Sequence, residues 1–313
     1  MTSNIKKIVT IENMMQLNSL LSLDLKNLNL EIVYITSDTF NEKDYKDAYL
    51  ALKNKNVKAG IRLSRVNTDK NIIKSFIYDK KDIQNKKLDS NKSNYDFDYI
   101  MIRNIDQFSF LLELLRHLDK NNFKFNFDAM PFTIHIDWPL NIYNNETKNI
   151  FYDLLSNFIP TSHLLCTFNL EQNIKELGAL NMDDLVFYGY VPVMVSSNCI
   201  LKSQGKCMYP DRNFDNLDSV KSNENISTSA HATLIDRKNE TLNIKTYCRY
   251  CYNQIFNPEP IFLCDMKDDL KSINYKYERY DFTFETGEEL IKILEREDKP
   301  IKFTRGHIKR GIL

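Results

Sequence analysis

The chain has 313 residues, 42% of them apolar, and its 42 basic side chains balance 42 acidic ones. That apolar content excludes a disordered chain, and the charge balance leaves no overall field drawing it to nucleic acid, although a local basic patch is compatible with it. No apolar run approaches membrane-spanning length and the N-terminal MTSNIKKIVTIENMM lacks the apolar core of a signal peptide, so a cytoplasmic protein without membrane contact is expected.

The first half alternates strand-like and helix-like runs. Ile5–Ile11 (IKKIVTI) is apolar and β-branched, and Asn13–Leu23 carries Met14, Leu17, Leu20 and Leu21 at helical spacing. Leu30–Thr36 is the next strand and 42–53 an amphipathic helix; Ala59–Val66 follows as a strand and Asp69–Tyr78 as a helix. The lysine- and asparagine-rich Lys80–Asn94 predicts a loop. Tyr99–Arg103 is a strand, and Asp106–Leu118 a helix with Phe110, Leu111, Leu114, Leu115 and Leu118 on one stripe. Strands at Phe132–Asp137, His163–Phe168 and Asp184–Tyr188 alternate with helices at Glu146–Phe158 and Leu170–Leu177. Ile261–Met266 and Lys276–Phe284 read as strands and Gly287–Glu297 as a helix.

Such alternation implies parallel pairing with right-handed crossovers. Seven or eight repeats in one chain predict an α/β fold, a (β/α)8 TIM-barrel-like scaffold with a C-terminal cysteine-bearing β-hairpin segment. The chain then reads as one domain over 1–313. Barrel elements fill 1–190, the cysteine segment 191–264, and closing strands, a helix and a basic tail 265–313. The polar run Pro210–Ser229 is an excursion inside the cysteine segment.

Five of the six cysteines lie between Val186 and Cys264. Cys248 and Cys251 form a C-x-x-C pair, and Cys199 and Cys207 flank a loop containing Gly205 in a chain of only seven glycines. In a reducing compartment such thiols favour metal ligation or thiol chemistry over disulfides. Four thiolates satisfy an iron–sulfur cluster or zinc. A zinc ribbon normally shows two tight knuckles and here there is one, so the spacing favours the cluster. Cys166, between Leu165 and Thr167, and Cys264, ending the PIFLC run, read as core residues.

Several stretches together resemble a known family. They are YGYVPVMVSSNC, LIDRKNETLNI, CYNQIFN and the terminal FTRGHIKRGIL, with YIMIRNID, IDWPLNIYN and CTFNLEQNIKEL earlier in the chain. These look like the collagenase-like peptidase family U32, specifically the second module of its long two-module members, from about residue 95 onward. The resemblance implies a barrel-like scaffold bearing a [4Fe–4S] cluster, and either oxygen-independent hydroxylation of an RNA base or similar ring, or a peptidase activity. Residue by residue it carries a ligand role onto Cys199, Cys207 and Cys251. The family's cysteine before the "DRKG" hairpin is missing, and Cys248 is the natural substitute, with His231 the alternative ligand. Because only the later module is matched, the implied partners are an RNA or peptide substrate and a separate chain carrying the first module. Such a chain would make this one a non-catalytic subunit.

Outside the cysteines, His135 and Asp137 alternate with Ile134 and Ile136 and so point to one face of a strand. At a barrel mouth the pair can serve as acid and base; a hydrogen-bonded core histidine is the other reading. Asp137–Asn141 (DWPLN) matches the family's "D-x-x-L-N", which marks Asn141 as a substrate contact or a turn residue. Arg103 ends a strand and so can reach the mouth. In the tail Arg305, His307 and Arg310 stand near Gly306 and Gly311, a set suited to a phosphate or carboxylate. Asp236-Arg237-Lys238-Asn239 reads as a hairpin turn.

Overall fold

The computed structural model of the chain describes residues 5–84, 97–128, 131–208 and 229–310. In order the elements are β1 (Lys6–Ile11), α1 (Met14–Leu21), β2 (Leu30–Thr36), α2 (Glu42–Asn54), β3 (Lys58–Arg62), α3 (Lys70–Gln84), β4 (Tyr99–Ile102), α4 (Ile105–Lys120), β5 (Thr133–Ile136), α5 (Asn145–Ser156), β6 (Leu164–Cys166), α6 (Ile174–Gly178) and β7 (Asp184–Gly189). There follow β8 (Pro192–Ser196), α7 (Ile200–Ser203), β9 (Ser229–Ile235), β10 (Thr241–Tyr247), β11 (Tyr252–Phe256), β12 (Ile261–Phe262), β13 (Tyr277–Asp281) and α8 (Gly287–Arg296).

The main sheet runs β12-β7-β13-β1-β2-β3-β4-β5-β6. Every neighbouring pair is parallel except β12 on β7. Strands such as β4 and β5 are buried at every position, as parallel strands covered on both faces must be. The helices cover the convex side in one large apolar cluster. A smaller cluster of Ile8, Ile32, Tyr34, Tyr99, Met101 and Leu165 fills the concave side. There Gly60 admits the Tyr34 ring, because a Cβ at residue 60 would lie 2.5 Å from its Cε1.

The expected closed barrel is corrected to a curled sheet. The end strand β6 meets β7, the strand next to the other end, through an isolated bridge between Thr167 and Asp184, with Phe168 N donating to Asp184 O at 3.0 Å and Asp183 N to Cys166 O at 2.8 Å. The cause is local: β6 has three residues, too few for a ladder, and β7 adds the antiparallel β12 on its other edge. The cysteine segment is likewise more than a hairpin. It forms a four-stranded antiparallel sheet, β8-β11-β10-β9, inserted between β7 and β12. Its β9–β10 turn is the one read at Asp236–Asn239, with Asp236 Oδ1 accepting from Lys238 N and Glu240 N.

Element ends differ from the sequence reading by a few residues, with one larger shift. The helix expected over Asp69–Tyr78 continues to Gln84 as α3, so residues 80–84 of the expected loop are helical. Lys80 is buried with its ammonium 5.7 Å from the Phe76 ring, an apolar use of its stem that composition does not reveal. Residues 85–94 of that loop, and 210–228 of the polar run, lie outside the described residues. Among the described residues no helix is long and apolar enough to cross a membrane.

Replacing Gly60 by Ala should displace Tyr34 from a filled site and destabilise the protein by about 1–3 kcal/mol. Urea unfolding measures this, and an unchanged midpoint would show that the concave side has slack.

Candidate functional site

Because the strands are parallel, their C-terminal ends open at one side, and alternate residues there point into the concavity. Two layers of polar side chains result. In the deeper layer His135 is fully buried: its Nδ1 lies 2.8 Å from Tyr34 Oη, and its Nε2 lies 2.8 Å from Asp184 Oδ1 and 3.0 Å from Thr167 Oγ1. In the upper layer Arg279 is fully buried. Its guanidinium meets Asp137 at 2.8 Å, Asp281 at 3.0 Å and Asp184 at 3.2 Å. Arg103 Nε donates to Asp137 Oδ2 at 2.9 Å, and Arg62 Nη2 lies 3.4 Å from Asp281 and 3.9 Å from Asp137.

Local structure aims these groups. Asn104 and Gln107 form the capping box of α4. Gln107 Oε1 also accepts from Arg103 N at 2.7 Å while its Nε2 donates to Ser64 O at 2.7 Å, tying the ends of β3 and β4 together. Asp137 caps the short turn Trp138–Leu140 through Oδ1. Burial alone would raise the Asp137 carboxyl, but Arg279, Arg103 and Arg62 outweigh it and hold the acid well below the usual carboxylate range. Arg62 is shifted down by burial and then by Arg103. Arg65, stacked 4.9 Å from the Trp138 ring centre, is pushed down to about 10 by the same two causes.

The small sheet covers this end. Lys245 and Tyr247 on β10, with Tyr252, Gln254 and Phe256 on β11, share one face by strand alternation and cross-strand register. Lys245 Nζ reaches Glu12 Oε2 at 3.3 Å and donates to Thr283 O at 2.9 Å. Tyr247 and Tyr252 stack at 4.8 Å, and Arg249 Nη1 donates to Phe40 O at 3.2 Å, fixing the turn after β10 to the rim. Between sheet and cover lies a cavity of about 20 Å³, bounded by Glu12, Arg62, Arg103, Trp138, Tyr247 and Gln254 among others. That is room for about one water. Buried polar atoms without a hydrogen-bond partner in this region include the donors Arg62 Nε, Arg65 Nη1, Gln254 Nε2 and Arg279 Nε and the acceptors Glu12 Oε2 and Asp38 Oδ1. Asp38 is pushed up to about 7, first by burial and then by neighbouring Asp69.

The candidates named from sequence fall in three places. His135 and Asp137 do share a face, but His135 sits a layer beneath the cavity with both ring nitrogens engaged, and Asp137 is locked among three arginines. Arg103 lines the cavity. Asn141 is an exposed turn residue in the left-handed region (φ 56°) at the end of the Trp138–Leu140 turn. The tail is docked: Thr304 bridges to Ile261, and Ile174 N donates to Ile308 O at 2.9 Å. Arg305, however, is bound to Asp265 and to the Phe262 carbonyl, which holds the Asp265 carboxyl down to about 2 and occupies the guanidinium expected to take a ligand. His307 is half-buried and Arg310 exposed in that tail.

Of the six cysteines Cys166, Cys248 and Cys264 are buried, and Cys199, Cys207 and Cys251 are half-buried. Cys166 and Cys264 are buried in the apolar cluster, where burial raises both thiols, Cys264 to about 12. Cys199 precedes α7, and Cys248 and Cys251 flank the β10–β11 turn. Ser196 pairs with Asn253, whose Nδ2 donates to Asn198 O at 2.6 Å, so the chain beside Cys199 lies against the chain beside Cys251. Cys248 Sγ lies 3.7 Å from Met208 Sδ, next to Cys207. All four thus belong to one end of the small sheet. Their sulfurs do not converge as a ligand set: among the described residues no three His, Cys, Asp or Glu side chains are grouped to hold a metal. Cys251 also has φ 54°, a conformation that costs a non-glycine residue roughly 1–2 kcal/mol. His231 stands apart on β9, 3.2 Å from Asn243 Oδ1 and over the Phe284 ring at 4.7 Å.

Arg62, Arg65, Arg279, Asp281, Asp38 and the covering Tyr247 and Gln254 were not singled out from sequence. The available signal was charge at inward positions of otherwise apolar strands, as in AGIRLSR and YERYDF.

No family model and no curated protein matches the sequence. Among solved structures the chain is similar to the U32 peptidase Mk0906, with TM-score 0.37 and 10% identity over 60% of this chain and 70% of that one. It is similar at 0.36 and 9% to the YdjI aldolase from Escherichia coli K12, over 58% of this chain and 66% of that one. For D-psicose 3-epimerase from Clostridium cellulolyticum H10 the values are 0.31 and 9%, over 58% and 72%. A likeness at this level assigns no activity.

The buried Asp38 acid gives a pH test. Its folded-state value of about 7 exceeds the unfolded value of about 3.9, so its contribution to stability is present below pH ~4 and is lost as pH rises through ~7. Asp38→Asn should therefore gain on wild type in urea midpoint as pH rises from 4 to 7, with the largest gain at pH 8. A midpoint difference that stays the same across that range would contradict this.

Proposed function

We propose that the chain is a U32-peptidase-like protein whose four-cysteine end binds a metal centre at the rim of the charged mouth. A [4Fe–4S] cluster is the first choice and zinc the alternative. The observation that supports this is the meeting of the two cysteine-bearing turns, Ser196–Met208 and Cys248–Tyr252, at one end of the small sheet. Binding sites of this kind commonly complete themselves as the metal arrives, so thiols set apart without it are compatible with ligation. A bound cluster supplies electron transfer. The protein contributes the fixed charges of Arg62, Arg103 and Asp137 beside the aromatic Trp138 and Tyr247.

The reaction this reading favours is oxygen-independent hydroxylation of an RNA base or a similar ring, with a chain carrying the family's first module as the partner. Peptidase action is less well supported. His135 is bonded to Tyr34, Thr167 and Asp184 inside the sheet, so it does not activate an exposed serine or cysteine.

Protein purified without oxygen should be brown and contain iron with acid-labile sulfide. Cys251→Ser should lose that iron and Cys166→Ser should keep it. Colourless protein with stoichiometric zinc in the same preparation would contradict the cluster and leave the alternative.

A further inference from the structure

Four of the described strands stand at sheet edges, β12 and β6 in the main sheet and β8 and β9 in the small one. An edge offers main-chain donors and acceptors to another strand, and proteins blunt it with shortness, proline, charge or irregular pairing. Three of the four are blunted. β12 has two residues, and Phe262 N already donates to Thr304 O at 3.1 Å. β6 has three residues and is engaged by the bridge to Asp184. β8 begins at Pro192, which has no N–H, and its ladder with β11 slips between Ile255 and Phe256.

β9 has none of these protections. It runs seven residues, SAHATLI, in unbroken register with β10. It carries no proline and no Asp, Glu, Lys or Arg. Asp236 N donates to Glu240 O at 3.0 Å, so Asp236 bonds toward β10. By the alternation of an antiparallel ladder, the main-chain groups of His231, Thr233 and Ile235 then point away from β10, to the free side. The side chains there are exposed as well, Leu234 to 44% and Ile235 to 66%. Outward main-chain groups flanked by exposed apolar side chains are what an added strand covers.

The sequence of β9 says which strand. Antiparallel pairing of two copies about Thr233 sets Thr233 opposite itself, His231 opposite Ile235 and Ala232 opposite Leu234. Every outward residue meets an outward residue, so each such pair exchanges both main-chain hydrogen bonds. The large Leu234 falls opposite the small Ala232, and Ile235 opposite a ring. No like charges face each other, and the 42 basic and 42 acidic residues leave no net repulsion between copies.

We propose that two copies of this chain pair β9 to β9 about a two-fold axis at Thr233, joining their small sheets into one continuous sheet. The pairing is isologous and so closes at two copies. It also shapes a site. His231 lines a cavity of about 890 Å³ with Tyr190, Phe284 and Lys299, and the Ile235 of the second copy lies beside that histidine at its edge. The interface does not depend on the cysteines or on what they bind.

Sedimentation equilibrium of the full chain, run from about 1 to about 500 µM to span a weak interface, tests this. The mass should rise with concentration from 37.0 kDa to twice that value and no further. Thr233→Pro removes an outward N–H and leaves the ladder to β10 intact, and Thr233→Lys sets two ammonium groups face to face. Each variant, checked for folding by circular dichroism, should weaken association at least about tenfold. Met194→Lys on the other edge of the small sheet should associate like wild type. The proposal is overturned if wild type stays at 37.0 kDa throughout, which would leave the edge to a different protein. It is equally overturned if both folded Thr233 variants associate like wild type, or if Met194→Lys alone abolishes association. The wild-type measurement decides the matter even where a variant does not fold.

Discussion

Arg279 carries a charge in the middle of the curled sheet, where nothing of it is exposed. Moving an ion there from water costs several kcal/mol even after the protein relaxes, and only close partners offset it. Three partners do so. Asp281 comes from its own strand, Asp137 from the end of β5 and Asp184 from β7, at 2.8–3.2 Å. The guanidinium thereby connects strands that no ladder joins, including β6 and β7 around Thr167 and Asp184. Arg279 Nη1 even donates to Thr167 Oγ1 at 3.0 Å, beside the single bridge. A sheet that closes so poorly by backbone hydrogen bonds is drawn shut by side-chain charge.

That arrangement sets the chemistry of the mouth. Once Arg279 holds Asp137 ionised, Asp137 anchors Arg103 and draws in Arg62, and both guanidiniums face the cavity. His135 is held beneath by Tyr34 and Asp184, so it serves as a strut between β2, β5 and β7 more than as a group in contact with solvent. The small sheet then completes the enclosure with Tyr247, Tyr252 and Gln254. The cysteine-bearing end of that sheet lies against the rim through Arg249 and Tyr252, whose hydroxyl is 3.4 Å from Ser64 Oγ. A change in the thiols is therefore mechanically close to the cavity.

Much of the main sheet was legible in the sequence, because buried parallel strands and amphipathic helices have different periods. The IVTI, EIVYI and YIMI runs fall in strands, and the leucine stripe of 110–118 falls in α4. Closure was not legible, since it turns on β6 being three residues long and on the antiparallel β12. The site was half legible. Arg103 and Asp137 end strands and were visible for that reason. Two of the three partners of Arg279 lie far along the chain, Asp184 95 residues away and Asp137 farther still, and one sequence contains no signal for such a pairing. Arg305 misled for the same reason, its true partner Asp265 being 40 residues back. The cysteines were visible as a cluster along the chain, but where their sulfurs point depends on turn geometry that spacing does not fix.

Unfolding of Arg279→Met in urea tests most directly whether buried charge holds the curled sheet together. Methionine keeps most of the stem's apolar volume but leaves Asp137, Asp184 and Asp281 buried without their shared cation. The account expects a loss of about 3–5 kcal/mol or outright failure to fold. A variant that unfolds at the wild-type midpoint would contradict it, and would place the closure of the sheet in its apolar packing alone.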